Sequence, residues 1–165
     1  MILEVIPREI AINRIQQIPQ YTYASSIEMI TVEVDKLKPL CLFVRNYRLK
    51  PASDLINAYT KQDIPLFEPV KTGVRIINPP IIELHDNMFV IIDGLHRINY
   101  LRQIQVKSAI VMIVYGVNVP LPADILNWDE VQHTNEKLSR KEKFRNLKVE
   151  YFRPIDWIVD KNSKY

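Results

Sequence analysis

The spacing of apolar and polar positions divides the chain into short elements of both kinds. Pro7 to Pro19 sets Ile10, Ile12, Ile15 and Ile18 among Arg8, Glu9, Arg14 and Gln16, a roughly helical spacing bounded by a proline at each end. It predicts a short amphipathic helix. Ile30 to Asp35 alternates apolar with polar residues and is rich in β-branched side chains, as a half-buried strand requires, and it ends at Lys36-Leu37-Lys38-Pro39. Pro51-Ala52-Ser53-Asp54 ahead of Leu55, Ile56, Ala58 and Tyr59 reads as the first turn of a second helix, closed before Pro65. After Val74 to Ile77, the apolar segments on either side of His85-Asp86-Asn87, Pro80 to Leu84 and Met88 to Ile92, predict a β-hairpin. At Gly94 the period changes, and Leu95, Ile98, Leu101 and Ile104, with Arg97, Arg102 and Gln103 between them, predict a helix. Ser108 to Tyr115 is almost wholly apolar and β-branched, which fits a buried strand, and Gly116, Pro120 and Pro122 end it.

From Asp124 the composition shifts. Lys137 to Lys148 is strongly basic, with Leu138, Phe144 and Leu147 as its large apolar anchors, and predicts an exposed or loosely docked helix; Tyr151, Phe152, Trp157 and Ile158 are expected to pack the tail back onto the domain. The outline is an α+β domain over residues 30–123, a mixed β-sheet with flanking helices. An N-terminal helical segment (1–29) precedes it and a basic helical C-terminal extension (124–165) follows.

Composition narrows the setting more than the activity. With 165 residues, 47% of them hydrophobic and 25% charged, the chain is long enough for a real core and too apolar for disorder. A lone Cys41 gives no disulfide framework and no cysteine-based zinc cluster, so a reducing compartment, the cytoplasm, is the expected location. The longest apolar runs, such as Ile110 to Tyr115, fall far short of the roughly 20 residues that span a bilayer, so no membrane partner is expected. Glu4 and Arg8 stand where a signal peptide would be apolar. A net charge of +3 is too slight to argue for nucleic acid, whose phosphates are held by clustered cations. The 137–148 run leaves such a partner weakly supported.

Chemistry concentrates at Asp93-Gly94-Leu95-His96-Arg97, where a buried strand turns into a helix. Unpaired backbone N–H groups and the helix dipole at such a junction favour an anion. Gly94 lets main chain approach a ligand closely, and His96 and Arg97 supply donors, the guanidinium with the geometry to grip two phosphate oxygens. Asp93 offers a carboxylate to a metal ion or to the proton of an attacking hydroxyl. The set suits a nucleoside triphosphate; its bland rival is a glycine turn with a surface arginine and a partly buried histidine.

These residues resemble the strand-turn-helix signature D/G-G-x-H-R or G-E-R-R of the ParB/sulfiredoxin-like superfamily. Supporting the likeness are Val32 to Pro39, similar to the superfamily's first strand and its proline-terminated end, the pairing of Pro80–Leu84 with Met88–Ile92, and a closing strand at Ala109 to Val114. The resemblance spans about residues 30–116 in element order and implies a ParB/sulfiredoxin-like fold. Within the motif, Leu95-His96-Arg97 resembles the free serine kinase branch rather than the Glu-Arg-Arg of CTP-binding ParB proteins. Leu95 stands where sulfiredoxins carry their nucleophilic cysteine, which argues against sulfinic acid reduction. The segment after residue 117 is too short and proline-broken for the helix-turn-helix domain of a ParB clamp.

The resemblance implies ATP, or another nucleoside triphosphate, with Mg²⁺, on Gly94, Leu95, His96 and Arg97. Lys38 would reach phosphate from the loop after the first strand, Asp93 would serve as metal ligand or base, His96 would share the catalytic work, and the acceptor would be a small hydroxyl compound such as free serine. The kinases of that branch carry an acid shortly after the first strand; here none occurs between Pro39 and Asp54, and Glu68 or Glu83 would substitute only if the fold brings one to the site. The alternative is a nucleotide-sensing or DNA-associated regulatory module without turnover. Scattered His85 and His133, with no partners at ligand spacing, do not suggest zinc, and Lys71 and Arg75 beside Gly73 read more simply as a solvated turn than as a nucleotide contact. The oligomeric state is open.

Overall fold

The computed structural model describes residues 1–155; Trp157 and Ile158, expected to pack the tail, lie outside them. In chain order the elements are β1 (Glu4–Val5), α1 (Arg8–Gln16), β2 (Ser26–Glu33), β3 (Leu37–Lys38), β4 (Phe43–Arg45), α2 (Leu49–Lys61), β5 (Val70–Thr72), β6 (Arg75–Ile77), β7 (Ile81–His85), β8 (Met88–Asp93), α3 (Leu95–Gln103), β9 (Ser108–Tyr115), β10 (Gln132–Thr134) and α4 (Arg140–Lys143). Helices and mixed sheets together make an α+β fold. No described helix is long and apolar enough to cross a membrane.

The main sheet has the order β2-β9-β7-β8-β3. β9 runs antiparallel to β2, from Ser26 opposite Tyr115 to Glu33 opposite Ser108, and parallel to β7. Its continuous apolar stretch follows from that position: Ala109 to Val114 are all buried, as in a strand covered on both faces. β7 and β8 form the expected hairpin, and Asp86 and Asn87 take positive φ of 49° and 63°, the mirror-image turn that suits the twist of a two-residue hairpin. β1, β5 and β6 form a second, antiparallel sheet. The N-terminal segment contributes Leu3, Ala11, Ile15, Ile18 and Tyr21 to the same core as β7 and β9.

The basic stretch departs from the expected long helix. α4 is a single turn, begun by a Ser139–Glu142 capping box, and it stops because Phe144 turns extended and pairs with Cys41. Asn146, at a positive φ of 54°, bends the chain again. Further upstream Gln132–Thr134 pairs in parallel with Phe43–Arg45, so the segment after β9 is stitched to β4 by backbone rather than docked by a helix face.

One buried ionic cluster fixes this segment to the centre of the sheet. Glu83, on β7 and fully buried, receives Nε and Nη2 of Arg153, both at 2.9 Å, the Tyr21 hydroxyl at 2.6 Å and the His85 imidazole at 2.7 Å. The remaining guanidinium hydrogens go to the carbonyls of Val119, Pro120 and Tyr151, which uses every donor that an arginine has. Burial pushes the Glu83 carboxyl up, but the bonds from His85, Arg153 and Tyr21 outweigh it and hold the group below the usual carboxylate range.

Replacing Glu83 by Gln strands a buried guanidinium, and we expect a loss of about 3–5 kcal/mol in urea unfolding at neutral pH; an unchanged midpoint would show the pair to be dispensable. Because the folded-state value of Glu83 is depressed, its contribution is present above the ordinary carboxylate range and is lost as pH falls through the folded value. The Glu83→Gln chain therefore lacks part of the acid-induced loss of stability that the unaltered chain shows.

Candidate functional site

A cavity of about 670 Å³ lies where the ends of several elements converge: the turn from β8 into α3, the end of β4, the first turns of α2, strand β6, and the segment 143–155. Asp93, Gly94, Leu95, His96 and Arg97 all line it. Lys38 does not; its ammonium is directed to Asn127 Oδ1 at 3.4 Å, beside the 128–130 turn.

The turn owes its shape to Gly94, whose φ of 106° is strained for any L side chain. An added Cβ would also stand 2.8 Å from Pro80 Cβ, so the space left by the missing side chain is used by the protein itself rather than by a ligand. No side chain caps α3, and the amides of its first turn keep the orientation that attracts an anion.

The two basic residues of the motif have different surroundings from those foreseen. Arg97 Nη1 donates to the Asn78 carbonyl at 2.6 Å, Nη2 approaches Asp93 Oδ2 at 3.4 Å, and the guanidinium lies over the Phe67 ring at 5.5 Å. Arg97 therefore braces α3 against the β6–β7 connection and orients Asp93, instead of holding both arms free for phosphate. His96 Nε2 accepts the Arg45 backbone N–H at 3.1 Å, which ties β4 to α3 and leaves Nδ1–H as its donor. Burial, reinforced by the charges of Arg45, Arg48 and Lys143, pushes the His96 imidazole down to about 3, so it is neutral at physiological pH.

Sequence reasoning missed the cations near this histidine, Arg45, Arg48 and Lys143, and set Arg75 aside as part of a solvated turn. Arg45 from β4, Arg48 just before α2, Arg75 from β6 and Lys143 from α4 line the cavity and form no ion pair among the described residues. Arg45 Nε is buried without a hydrogen-bond partner. The acids lining the cavity are Asp93, half-exposed at 44% and leaning on Arg97, and Asp54, which pairs with Lys50 at 3.0 Å. Arginines four and seven places past Cys41 gave no motif to recognise; only the fold brings them to the α3 turn.

Other candidate chemistry recedes. Glu68 is bound by Arg8 at 2.7 Å and Glu83 by Arg153, and neither lines the cavity, so neither supplies the missing acid. Cys41 borders the cavity, but burial pushes its thiol up, away from the reactive thiolate. His85 bonds Glu83, and His133 bonds Asn46 at 3.1 Å. In the basic run, Arg145 pairs with Glu130 at 2.8 Å and Arg140 stacks on Phe152 at 4.6 Å. Among the described residues no three His, Cys, Asp or Glu side chains gather as a metal site. With a single carboxylate at the α3 turn, already facing Arg97, the donor set does not build a resident Mg²⁺ site.

No protein-family model matches the chain, and no curated protein matches it. Among solved structures it is similar to a conserved hypothetical protein from Pyrococcus furiosus, at 21% identity and a TM-score of 0.37 over 56% of this chain and 34% of that one. It is also similar to a free serine kinase in complex with AMP, at 20% identity and a TM-score of 0.36 over 59% of this chain and 33% of that one. A point mutant of a free serine kinase, again with AMP, matches at 22% identity and a TM-score of 0.36 over the same shares, 59% and 33%. The chain spans about a third of the length of these structures.

Two outcomes test this geometry. Gly94→Ala forces a left-handed backbone on a side chain and meets Pro80, so we expect a loss of at least about 1–2 kcal/mol in thermal or urea unfolding. In an NMR titration His96 stays neutral, as the Nδ1–H tautomer, at about pH 5, well above its folded-state value and below the ordinary one; a protonated ring there would contradict the burial and the cationic surroundings described above. Since the unfolded chain takes up this proton near the ordinary histidine value of 6.5 and the folded chain only near 3, stability falls between those values on acidification, and His96→Gln flattens that part of the profile.

Proposed function

We propose that the cavity binds the polyphosphate of a nucleoside triphosphate, ATP in the first instance. The observation that carries this reading is a concave site with Arg45, Arg48, Arg75 and Lys143 unneutralised among the described residues and opening on the uncapped amides of α3. Asp54 and Asp93, the acids that line the cavity, are turned to Lys50 and Arg97, so an anion is what would complete the set for Arg45, whose buried Nε has no partner, and for the half-buried Lys143. In this reading the first-turn amides of α3 and the Nδ1–H of His96 contact one phosphoryl group, Arg45 and Arg48 neutralise it, and the apolar wall of Leu55, Ile76, Ile77 and Ile92 faces the less polar part of the nucleotide.

Transfer of the terminal phosphoryl group to a small hydroxyl acceptor such as free serine is the catalytic extension of the proposal. Asp93 is the carboxylate at the turn, oriented by Arg97. It takes the proton of the acceptor hydroxyl as that oxygen bonds to the terminal phosphorus, the bridging P–O bond breaks, and the nucleoside diphosphate leaves. Arginine charge and main-chain donors supply the electrostatic part of the catalysis without a further carboxylate. A second reading, nucleotide sensing without turnover, is favoured by one observation: Asp93, the carboxylate at the α3 turn, is engaged by Arg97 at 3.4 Å rather than standing free for an acceptor hydroxyl.

Calorimetric titration with ATP tests binding. Arg48→Ala should weaken it by about 1.5–3 kcal/mol, the value of a charge-assisted contact, and unchanged affinity would remove Arg48 from the site. Release of ADP measured with and without free serine tests transfer. Acceptor-dependent release that disappears in Asp93→Asn, with ATP affinity retained, supports the kinase; tight binding with no release under either condition supports the sensor.

A further inference from the structure

Lys143 comes to the cavity from a different part of the chain than the β8–α3 turn and β4. Its main chain is fixed on both sides: its carbonyl accepts the Leu42 N–H at 2.8 Å, its own N–H reaches the Ser139 carbonyl at 3.3 Å, and Phe144 next to it pairs with Cys41. The side chain is half-buried at the cavity wall and makes no hydrogen bond or ion pair among the described residues. Its charge is opposed where it stands. Burial and then Arg45 push the ammonium below its ordinary value; opposite effects of Cys41 and Tyr47 do not reverse this, and Arg140 adds to it. A lysine fixed at the backbone and set near an arginine without a carboxylate between them gains stability only when an anion occupies the gap.

Lys141, two places earlier, is exposed and does not line the cavity, so orientation rather than the general basicity of this stretch singles out Lys143. Arg45, Arg48 and Arg75 already exceed the charge of a monophosphate, whereas a triphosphate, with about four negative charges, brings more than those three balance. We infer that Lys143 is a ligand-contacting residue through which the C-terminal segment distinguishes nucleoside triphosphates from monophosphates. The inference rests on the nucleotide reading above and extends it from occupancy to specificity. Lys143 engages the terminal phosphates, and AMP leaves it unused.

Dissociation constants for ATP and AMP, measured by calorimetry at one ionic strength on the unaltered chain and on Lys143→Met, Lys143→Arg and Lys141→Met, test this. We expect Lys143→Met to weaken ATP about tenfold or more, the cost of one charge-assisted contact, while AMP changes little. Lys143→Arg should restore most of the preference and Lys141→Met should behave as the unaltered chain. If Lys143→Met and Lys141→Met bind ATP equally, or if ATP and AMP weaken by the same factor in Lys143→Met, the inference is overturned while the nucleotide site stands. Failure of the unaltered chain to bind ATP overturns both. A thermal melt of each variant guards the comparison, and should Lys143→Met melt early, Lys143→Gln replaces it.

Discussion

The bidentate contact between Glu83 and Arg153 organises the molecule, because both ions are wholly buried and neither is tolerable alone. Glu83 sits on the strand between β9 and β8, at the middle of the main sheet, while Arg153 belongs to the last described turn of the chain. Their bond holds the 143–155 segment against the fold, and that segment supplies Lys143, Phe144, Phe152 and Ile155 to the cavity wall. The same guanidinium gathers the carbonyls of Val119 and Pro120, so the proline-rich connection after β9 is fixed by the charge that fixes the C-terminal segment. A pair of hydrophobic side chains of similar volume could fill the space, but it would not gather three backbone carbonyls.

At the cavity the balance is reversed. The core cluster satisfies every hydrogen-bonding position of a buried arginine, whereas the cavity leaves Arg45 Nε without a partner and sets several cations around a neutral histidine. Mutual repulsion there opposes folding, and the chain offsets it by scaffolding: Gly94 against Pro80, Arg97 between Asn78 and Asp93, and His96 accepting from Arg45. Each of these contacts lies within the protein. The side-chain contacts of the β8–α3 turn are thus largely internal, and the cations without ion-pair partners among the described residues come from neighbouring elements.

That division explains what was legible in the sequence. Elements with a strong local period emerged directly: the hairpin with Asp86-Asn87 at its tip, the helix after Gly94 and the almost wholly apolar β9, whose bounds match the expectation; α1 forms as a helix, but it buries Arg14 and leaves Ile10 exposed, so its inner face is not the one the isoleucine spacing predicts. The turn at residues 93–97 was recognisable because its glycine, acid and bases are contiguous. The 137–148 stretch misled, since basic residues are good helix formers in isolation and the competing pairing of Phe144 with Cys41 is long-range and leaves no local trace. Arg45, Arg48 and Lys143 were invisible for the same reason: nothing in a run of surface-type residues reports that topology will turn them towards one cavity. Glu83 was read as a candidate acid for the site, and only its burial against Arg153 shows that its charge is already spent on architecture.

The parallel pairing of β4 with β10 sets Phe43 opposite Gln132, and beside it the Asn46 side chain donates to Asn135 Oδ1, across 89 residues of chain. A pairing of such span must meet the entropy of shutting a long loop before it is rewarded, and the β2–β9 pairing of the main sheet, from Ser26 opposite Tyr115, carries the same cost. The cavity wall is complete only when Lys143 and Arg153 are in place, whereas the hairpin and the α3 turn need no residue beyond Gln103. A ligand that bridges these two parts of the chain would add its binding energy to this closure, making occupancy a contributor to kinetic persistence as well as to affinity.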